Sequence, residues 1–214
     1  NRYFYDPAYQ SFSAFGTRIT VVEQQPQLLP MEDPEAVRWV ARRLEQQGVA
    51  LHTGTTVTTL TASERGVRAT LSTGTSVEAE RCLVAIGQQP NIGALRLANG
   101  SVAHDVGVTV DAFLRTSQPH IAAIGDCLAG HGLAHWASAE GALAVRNLLG
   151  DPPAALDPTQ VPRCVFSDPE LAHVGVRETD QGGAWRVSRF AFGARGKSSC
   201  DEETEGFVKL VVDP

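Results

Sequence analysis

The stretch that decides the fold covers residues 18–52 and reads RITVVEQQPQLLPMEDPEAVRWVARRLEQQGVALH. Its first run is rich in β-branched residues, ends in Glu23 and is typical of a parallel strand. Asp33 has the position of a helix N-cap and is followed by Pro34, while Gly48 marks the end of the helix. A second short apolar run follows. The stretch therefore predicts a βαβ unit, which is the building block of nucleotide-binding α/β folds.

Downstream of this unit the hydrophobic pattern changes to alternation. Residues 55–80 alternate between apolar and polar types, with turn residues at 64–66 and 73–74, which predicts a small antiparallel meander. The run CLVAIG at residues 82–87 predicts a return to a buried parallel strand. After residue 160 the runs VPRCVF, WRVSRFAF and GFVKLVV are separated by turn residues, and they predict a second, antiparallel domain.

Asp126 follows a run of four small apolar residues in the stretch TSQPHIAAIGDC, residues 116–127. An apolar run before Gly125 predicts a buried strand that brings the carboxylate to the end of a sheet, where open α/β folds bind ligands. A role as a turn or N-cap acid is the alternative. Residues 133–149 then predict an alanine-rich helix that ends at Gly150.

Glu23 is the candidate ribose-binding acid of the βαβ unit. An acid at this strand end accepts hydrogen bonds from adenosine ribose hydroxyls and repels a 2′-phosphate, which predicts NAD rather than NADP. A solvated strand-end acid is the alternative. The glycine fingerprint G-x-G-x-x-G that should precede it is absent from residues 1–17, where Tyr3, Phe4 and Tyr5 would crowd a pyrophosphate.

Composition argues against several other classes of function. The net charge of −6, without a basic cluster, argues against a nucleic-acid surface, and no apolar run is long enough to span a membrane. The polar N-terminus does not resemble a secretory signal. The four cysteines lie far apart, which predicts free thiols in a reducing cytoplasm: Cys82, Cys127, Cys164 and Cys200.

Polar and aromatic residues near the predicted helix at 133–149 have simpler interpretations. A zinc site at His131 and His135 is rejected because no cysteine or carboxylate partner lies close in the sequence. His135 and Trp136 are expected to be packing residues if they bind nothing. Glu140 is expected to be a charge on the helix surface.

Several motifs occur in an order that resembles a known family. They are ITVVE, LLP followed by Asp33, CLVAIGQQPN, VTVDAFLRTSQPHIAAIGDC, LAHWASAEG and VPRCVFSDPELAHVG. Their order resembles the class I, FAD-dependent pyridine nucleotide–disulfide oxidoreductases, and most closely the dihydrolipoamide dehydrogenase branch. The resemblance runs from about residue 12 to the end of the chain and implies an internal portion of a longer enzyme.

This resemblance implies an α/β fold in three parts. Residues 1–97 would form an NAD(P)-binding βαβ domain with an antiparallel meander and an atypical first βα turn. Residues 98–156 would form the C-terminal segment of an FAD-binding, Rossmann-like domain. Residues 157–214 would begin an α+β dimerisation domain.

The resemblance also implies which residues contact the cofactors FAD and NAD. Asp126, after Gly125, takes the position that hydrogen-bonds the ribityl–phosphate region of the flavin, and the amides of the LAH motif line the flavin. On the other side, Glu23 faces the NAD ribose, the start of the meander faces adenine, and the AIG turn faces nicotinamide. The implied residues are Gly125, Asp126, Leu133, Ala134 and His135 for FAD, and Glu23, Val57, Ala85, Ile86 and Gly87 for NAD.

Departures from the family pattern limit what the chain is expected to do alone. Arg2, Tyr5 and Pro7 stand in place of a glycine fingerprint and its acid, and Gln88 replaces the usual arginine. Neither a C-x-x-x-x-C redox pair nor the family's His–Glu base can be matched to this sequence. No catalytic residue is therefore assigned, and the chain alone is expected to be inactive.

For the full enzyme, the resemblance implies electron transfer between NAD(H), FAD and a disulfide or dithiol substrate of lipoyl type. It implies a homodimer formed through residues from Val161 onward, located in the cytoplasm, without nucleic-acid or membrane partners. One alternative is a non-catalytic nucleotide-binding or dimerisation module. Within the family, a mercuric reductase-like or other NAD(P)H-dependent FAD oxidoreductase is the alternative.

Overall fold

A computed structural model describes residues 8–64, 66–130, 132–150, 153–180 and 185–213 of the chain. The chain divides into two compact units. Unit one contains the residues up to 86 together with 164–172 and those from 176 onward. Unit two contains residues 87–163 and 173–175. No helix in these described ranges is both long and apolar enough to cross a membrane.

Unit one contains the βαβ unit that the sequence predicts. After a short helix α1 (Ala8–Ala14), strand β1 (Thr20–Val22) pairs in parallel with β2 (Ala50–His52), and α2 (Pro34–Gln46) connects them. The Asp33 carboxylate caps α2 by accepting hydrogen bonds from the first backbone N–H groups of the helix. The βαβ prediction is confirmed.

The core of unit one is built on one face of α2. Val37, Val40 and Leu44 are spaced by three and four residues, so their side chains point to the same side of the helix, and all three are buried. They pack with Leu28, Leu29, Val49 and Leu171. Gly48 follows the helix with a φ of +81°, a left-handed conformation that favours glycine and lets the chain turn into β2.

The predicted meander is also confirmed. Strands β3 (Val57–Ser63), β4 (Gly66–Leu71) and β5 (Ser76–Ala79) form a three-stranded antiparallel sheet. Leu71 is the fully buried side chain of this sheet, while β3 is exposed along its whole length.

The segment 82–87 differs from the prediction of a buried parallel strand. It has no strand geometry, and its apolar side chains are exposed, with 61% of Leu83 and 84% of Ile86 open to solvent. A buried parallel strand needs a hydrogen-bonded neighbour and cover on both faces. The parallel sheet formed by the described residues has two strands, β1 and β2, and neither pairs with this segment.

Unit two is organised around helix α3 (Ala134–Leu149), which ends at Gly150 in the left-handed conformation, as predicted. Leu143 and Ala144 on this helix pack with Val102, Val108, Leu114 and Leu128. The predicted IAAI strand is wrong: among the described residues, its backbone pairing is a single bridge between Ala122 and Arg115. An isolated bridge follows because no neighbouring strand continues the ladder.

The remaining strands form two small sheets. Strands β6 (Arg163–Val165) and β7 (Leu171–His173) pair with each other. Strands β8 (Arg186–Ala191) and β9 (Phe207–Val212) form an antiparallel pair, and the short helix α4 (Gly196–Cys200) lies between them in the chain. The three strand-like runs of the tail are therefore strands, as the sequence predicts.

Candidate functional site

The residues predicted to contact flavin lie on a single 3-10 turn, Gly125–Cys127, and at the start of α3, and the turn packs against that helix. Gly125 has a φ of +68°, and a Cβ there would lie 3.0 Å from the Cβ of Ala137, so both the backbone conformation and the close contact require glycine. Asp126 follows and is exposed. Among the described residues, its carboxylate has no hydrogen-bond or ion-pair partner.

The N-terminus of α3 carries backbone donors that the helix itself does not use. Leu133 is the N-cap residue, but its apolar side chain cannot cap, and the first hydrogen bond of the helix runs from the N–H of Ala137 to the Leu133 carbonyl. The amides of Ala134 and His135 have no acceptor within the described ranges. Such amides, at the positive end of a helix dipole, bind anions or carbonyl oxygens.

Glu140 corrects one prediction. It is not a surface charge: only 5% of the residue is exposed, and both carboxylate oxygens accept hydrogen bonds. Oε2 accepts from the N–H of Gly125 at 2.6 Å, and Oε1 accepts from the indole Nε1–H of Trp136 at 2.8 Å. Trp136 is itself buried, as a packing residue should be. The four-residue spacing of Trp136 and Glu140 was the sequence signal for this contact.

These groups fit the ribityl–phosphate part of FAD. Phosphate oxygens need donors, which the amides of Ala134 and His135 offer, and sugar hydroxyls need an acceptor, which Asp126 offers. The Nε2 atom of His135 is buried and has no hydrogen-bond partner within the described part of the chain. A buried polar atom at the start of α3 that has no partner among the described residues is a place where a polar ligand could bind.

In the described ranges, no group of three or more His, Cys, Asp or Glu residues could hold a metal ion. His131, which the sequence offered for a zinc pair, lies outside the described residues.

On the NAD side, Glu23 lies directly after β1 and is half-buried. Its backbone is fixed by hydrogen bonds with His52 and Thr55, and its Oε1 accepts the N–H of Gln25 at 2.7 Å. This is the strand-end position that the sequence predicts. The carboxylate therefore also holds the loop that leaves the strand.

In the described part of the chain, no hydrogen bond joins Glu23 to the other residues predicted to bind NAD. Val57 begins β3 and is exposed. Ala85, Ile86 and Gly87 lie in the exposed segment without strand geometry. Gln88 is also exposed. Arg2, Tyr5 and Pro7 lie outside the described residues.

Comparison with relatives by sequence identifies dihydrolipoyl dehydrogenases. The chain is 38% identical over 208 residues to that of Bacillus subtilis (strain 168), covering 93% of this chain and 44% of the relative. It is 38% identical over 210 residues to that of Chlorobaculum tepidum, covering 94% and 45%. The chain thus spans less than half the length of these relatives.

Solved structures that are similar to this chain belong to related proteins. LpdA from Mycobacterium tuberculosis matches with a TM-score of 0.85 and 29% identity, over 95% of this chain and 46% of that chain. The HOCl-induced flavoprotein disulfide reductase RclA from Escherichia coli matches with a TM-score of 0.83 and 26% identity, over 94% of this chain and 48% of that chain.

Two family matches cover most of the sequence. Residues 8–141 match the family described as pyridine nucleotide-disulphide oxidoreductase, and residues 161–214 match the dimerisation domain of the same family. The predicted α/β class and the resemblance seen in the motif order are confirmed, and the family uses FAD and NAD(H). The chain belongs to the pyridine nucleotide–disulphide oxidoreductase family.

Proposed function

We propose that this chain forms part of the cofactor site of a dihydrolipoyl dehydrogenase-like flavoprotein, which moves electrons between NAD(H), FAD and a lipoyl-type disulfide or dithiol. One observation carries the proposal. The carboxylate of Asp126 and the amides of Ala134 and His135 have no partner among the described residues, and they lie on a turn and a helix of unit two that pack against each other. This pairing of an acceptor with two donors suits a group that has both hydroxyls and phosphates.

Bound FAD would supply the chemistry of accepting an electron pair from NADH and passing it to a disulfide. The residues of this chain would bind and orient. Asp126 would accept hydrogen bonds from ribityl hydroxyls, and the amides of Ala134 and His135 would donate to oxygens of the cofactor. Glu23 would accept the ribose hydroxyls of NAD.

The disulfide step needs a thiolate beside a resolving cysteine. The described cysteines are all free, and they are widely separated in sequence. We therefore assign no catalytic residue to this chain and propose that the reacting cysteine pair comes from elsewhere in the active protein. Free thiols also favour a reducing compartment, which supports a cytoplasmic location.

A homodimer is part of the proposal. The match of residues 161–214 to the family's dimerisation domain supports association through residues from Val161 onward. On β8 and β9, Phe190 is paired with Val208, and Leu210 and Val212 follow at alternate positions. All four are exposed and lie on one face of this sheet, together with Ser188 and Arg186, so they form an apolar patch of the kind that protein interfaces use.

Replacing Asp126 by alanine tests the flavin site. We expect the unmodified chain to bind FAD saturably, and Asp126→Ala to weaken binding roughly ten- to a hundredfold, since it removes a charged hydrogen-bond acceptor. Binding is measured by titrating FAD and following its visible absorbance and fluorescence. Asp105→Ala, which changes another exposed acid of unit two, is the control and should bind normally.

The outcome separates the two candidate functions. Equal affinity for Asp126→Ala and the unmodified chain would contradict the assignment of Asp126. A chain that sediments as a dimer but leaves the FAD spectrum unchanged would instead favour the non-catalytic dimerisation module.

Replacing Glu23 by glutamine tests the preference for NAD. Glutamine retains an oxygen for the N–H of Gln25 but removes the charge that repels a 2′-phosphate. We expect the ratio of the NADPH to NADH dissociation constants to fall about tenfold. The ratio is measured by fluorescence titration of both nucleotides. Glu45→Gln, an exposed acid on α2, should leave it unchanged, and an unchanged ratio for Glu23→Gln would contradict the prediction.

A further inference from the structure

We propose that Glu140 is the positioning residue of the flavin-binding turn. Its carboxylate joins the turn at Gly125 to the side chain of Trp136 on α3, and so fixes where Asp126 stands relative to the amides at the start of that helix. The inference rests on the proposed function, because Asp126 is the residue that would contact the cofactor. Glu140 itself would act only through the turn.

The position of Glu140 requires a side chain that has two acceptor atoms. Both neighbours of Glu140 are donors, the backbone N–H of Gly125 at 2.6 Å and the indole N–H of Trp136 at 2.8 Å. A carboxylate presents one oxygen to each. A glutamine of the same length would present one oxygen and one NH₂ group, so that a donor would face a donor at one of the two positions.

The chain approaches α3 closely on both sides of this hydrogen bond. A Cβ on Gly125 would lie 3.0 Å from the Cβ of Ala137, and a Cβ on Gly141 would lie 3.3 Å from Cδ1 of Ile124, so neither position has room for a larger residue. Close packing limits the distance between two elements but does not fix how one slides along the other. In the part of the chain that the structure describes, the Gly125–Glu140 bond is the one hydrogen bond between the turn and α3.

Position matters for Asp126 because it is one residue beyond this bond. Its own carboxylate is exposed and makes no contact that would hold it in place within the described ranges. A turn free to slide would therefore carry Asp126 away from the amides of Ala134 and His135. Asp126 and the two amides could then bind one ligand only if the turn became ordered at the same time, which costs free energy of binding.

Three variants test the inference: Glu140→Gln, Trp136→Phe and the double variant. We expect Glu140→Gln to weaken FAD binding roughly tenfold, the effect of one buried hydrogen bond lost. Trp136→Phe leaves the bond to Gly125 in place and should bind almost normally. In the double variant no indole donor remains, so the glutamine oxygen is free to accept from Gly125, and binding should be partly restored. A purely structural loss would instead accumulate in the double variant.

Amide hydrogen exchange without FAD gives a second readout that does not depend on the cofactor. In the unmodified chain the amide of Gly125 should exchange more slowly than those of Ala134 and His135, which have no acceptor among the described residues. It should exchange faster in Glu140→Gln and slow again in the double variant. Equal exchange of the three amides in the unmodified chain would overturn the inference even if Glu140→Gln does not fold.

The two proposals fail in different ways. Protection of Gly125 without any FAD binding would overturn the proposed function and leave the contact intact. Unchanged FAD affinity in Glu140→Gln, or a double variant no better than Glu140→Gln, would overturn the role of Glu140 while the flavin site stands.

Discussion

Replacing Leu44 by alanine is expected to lower the free energy of unfolding by about 3 kcal/mol, because it removes a buried side chain and leaves a cavity. Leu44 lies on α2 and has 0% of its surface exposed. Its neighbours belong to the one buried cluster on the core-facing side of the helix, so little of the space can be refilled. The change is measured by urea denaturation, followed by the fluorescence of Trp39 on the same helix.

The matched control is Leu83→Ala, which removes the same atoms from a side chain that is 61% exposed. We expect it to change the free energy of unfolding by less than about 0.5 kcal/mol. If both substitutions were equally destabilising, burial on α2 would not be the cause.

The second large effect is expected from replacing Lys209 by methionine. The Lys209 ammonium lies 2.9 Å from Asp33, 2.7 Å from Glu35 and 3.0 Å from Glu178, and 10% of its side chain is exposed. Methionine keeps most of the apolar stem but leaves Asp33 without this cation, while Arg189 still pairs with Glu35 and Glu178. We expect a loss of about 2 kcal/mol in the free energy of unfolding at neutral pH, the effect of losing charged hydrogen bonds to a half-buried carboxylate.

The pH dependence follows from the two carboxylates on α2. Burial raises the pKa of Asp33, but hydrogen bonds from Lys209 and from the amides of Glu35 and Ala36 outweigh it, and the pKa lies below its ordinary value of 3.8. For Glu35, the hydrogen bond from Lys209 is the largest cause that holds the pKa below 4.5. The unfolded chain therefore takes up protons first as the pH falls.

This order of protonation determines how the stabilisation by Lys209 changes with pH. The stabilisation by Lys209 is complete above about pH 5 and is lost as the pH falls through the lowered pKa values of the folded state. The difference in unfolding free energy between the unmodified chain and Lys209→Met should therefore shrink from neutral pH toward pH 3, as measured by urea denaturation at each pH. Lys197→Met, at an exposed ion pair with Asp201, should cause little change at any pH.

Elements with local signals could be predicted from the sequence. The start and end of α2 depend on Asp33, Pro34 and Gly48, which act within one helical turn of the residues they affect. The meander depends on alternation and on tight turns, which also involve neighbours in sequence. The segments 82–87 and 121–124 were wrongly predicted as strands. Both have strand composition, but among the described residues the first pairs with no strand and the second makes a single bridge, between Ala122 and Arg115. Pairing is a long-range property that an apolar run does not contain.

The candidate site also has one part that the sequence predicts and one part that it does not. Asp126 and the start of α3 are close in sequence, and the motif order predicts that they belong to one site. Glu140 was missed because its residue type suggests solvent, and the four-residue spacing to Trp136 gives only a helix face, not what that face meets. The roles of Val57 and of residues 85–87 in binding NAD stay predictions.

The exposed segment 82–87 has a consequence for how long the chain persists in a cell. It carries the apolar side chains of Leu83, Val84 and Ile86, which are largely open to solvent, and it pairs with no strand in the described ranges. Exposed apolar segments are recognised by chaperones and proteases and are able to pair with other chains. Another protein surface that covers residues 82–87 should therefore slow the degradation of the chain.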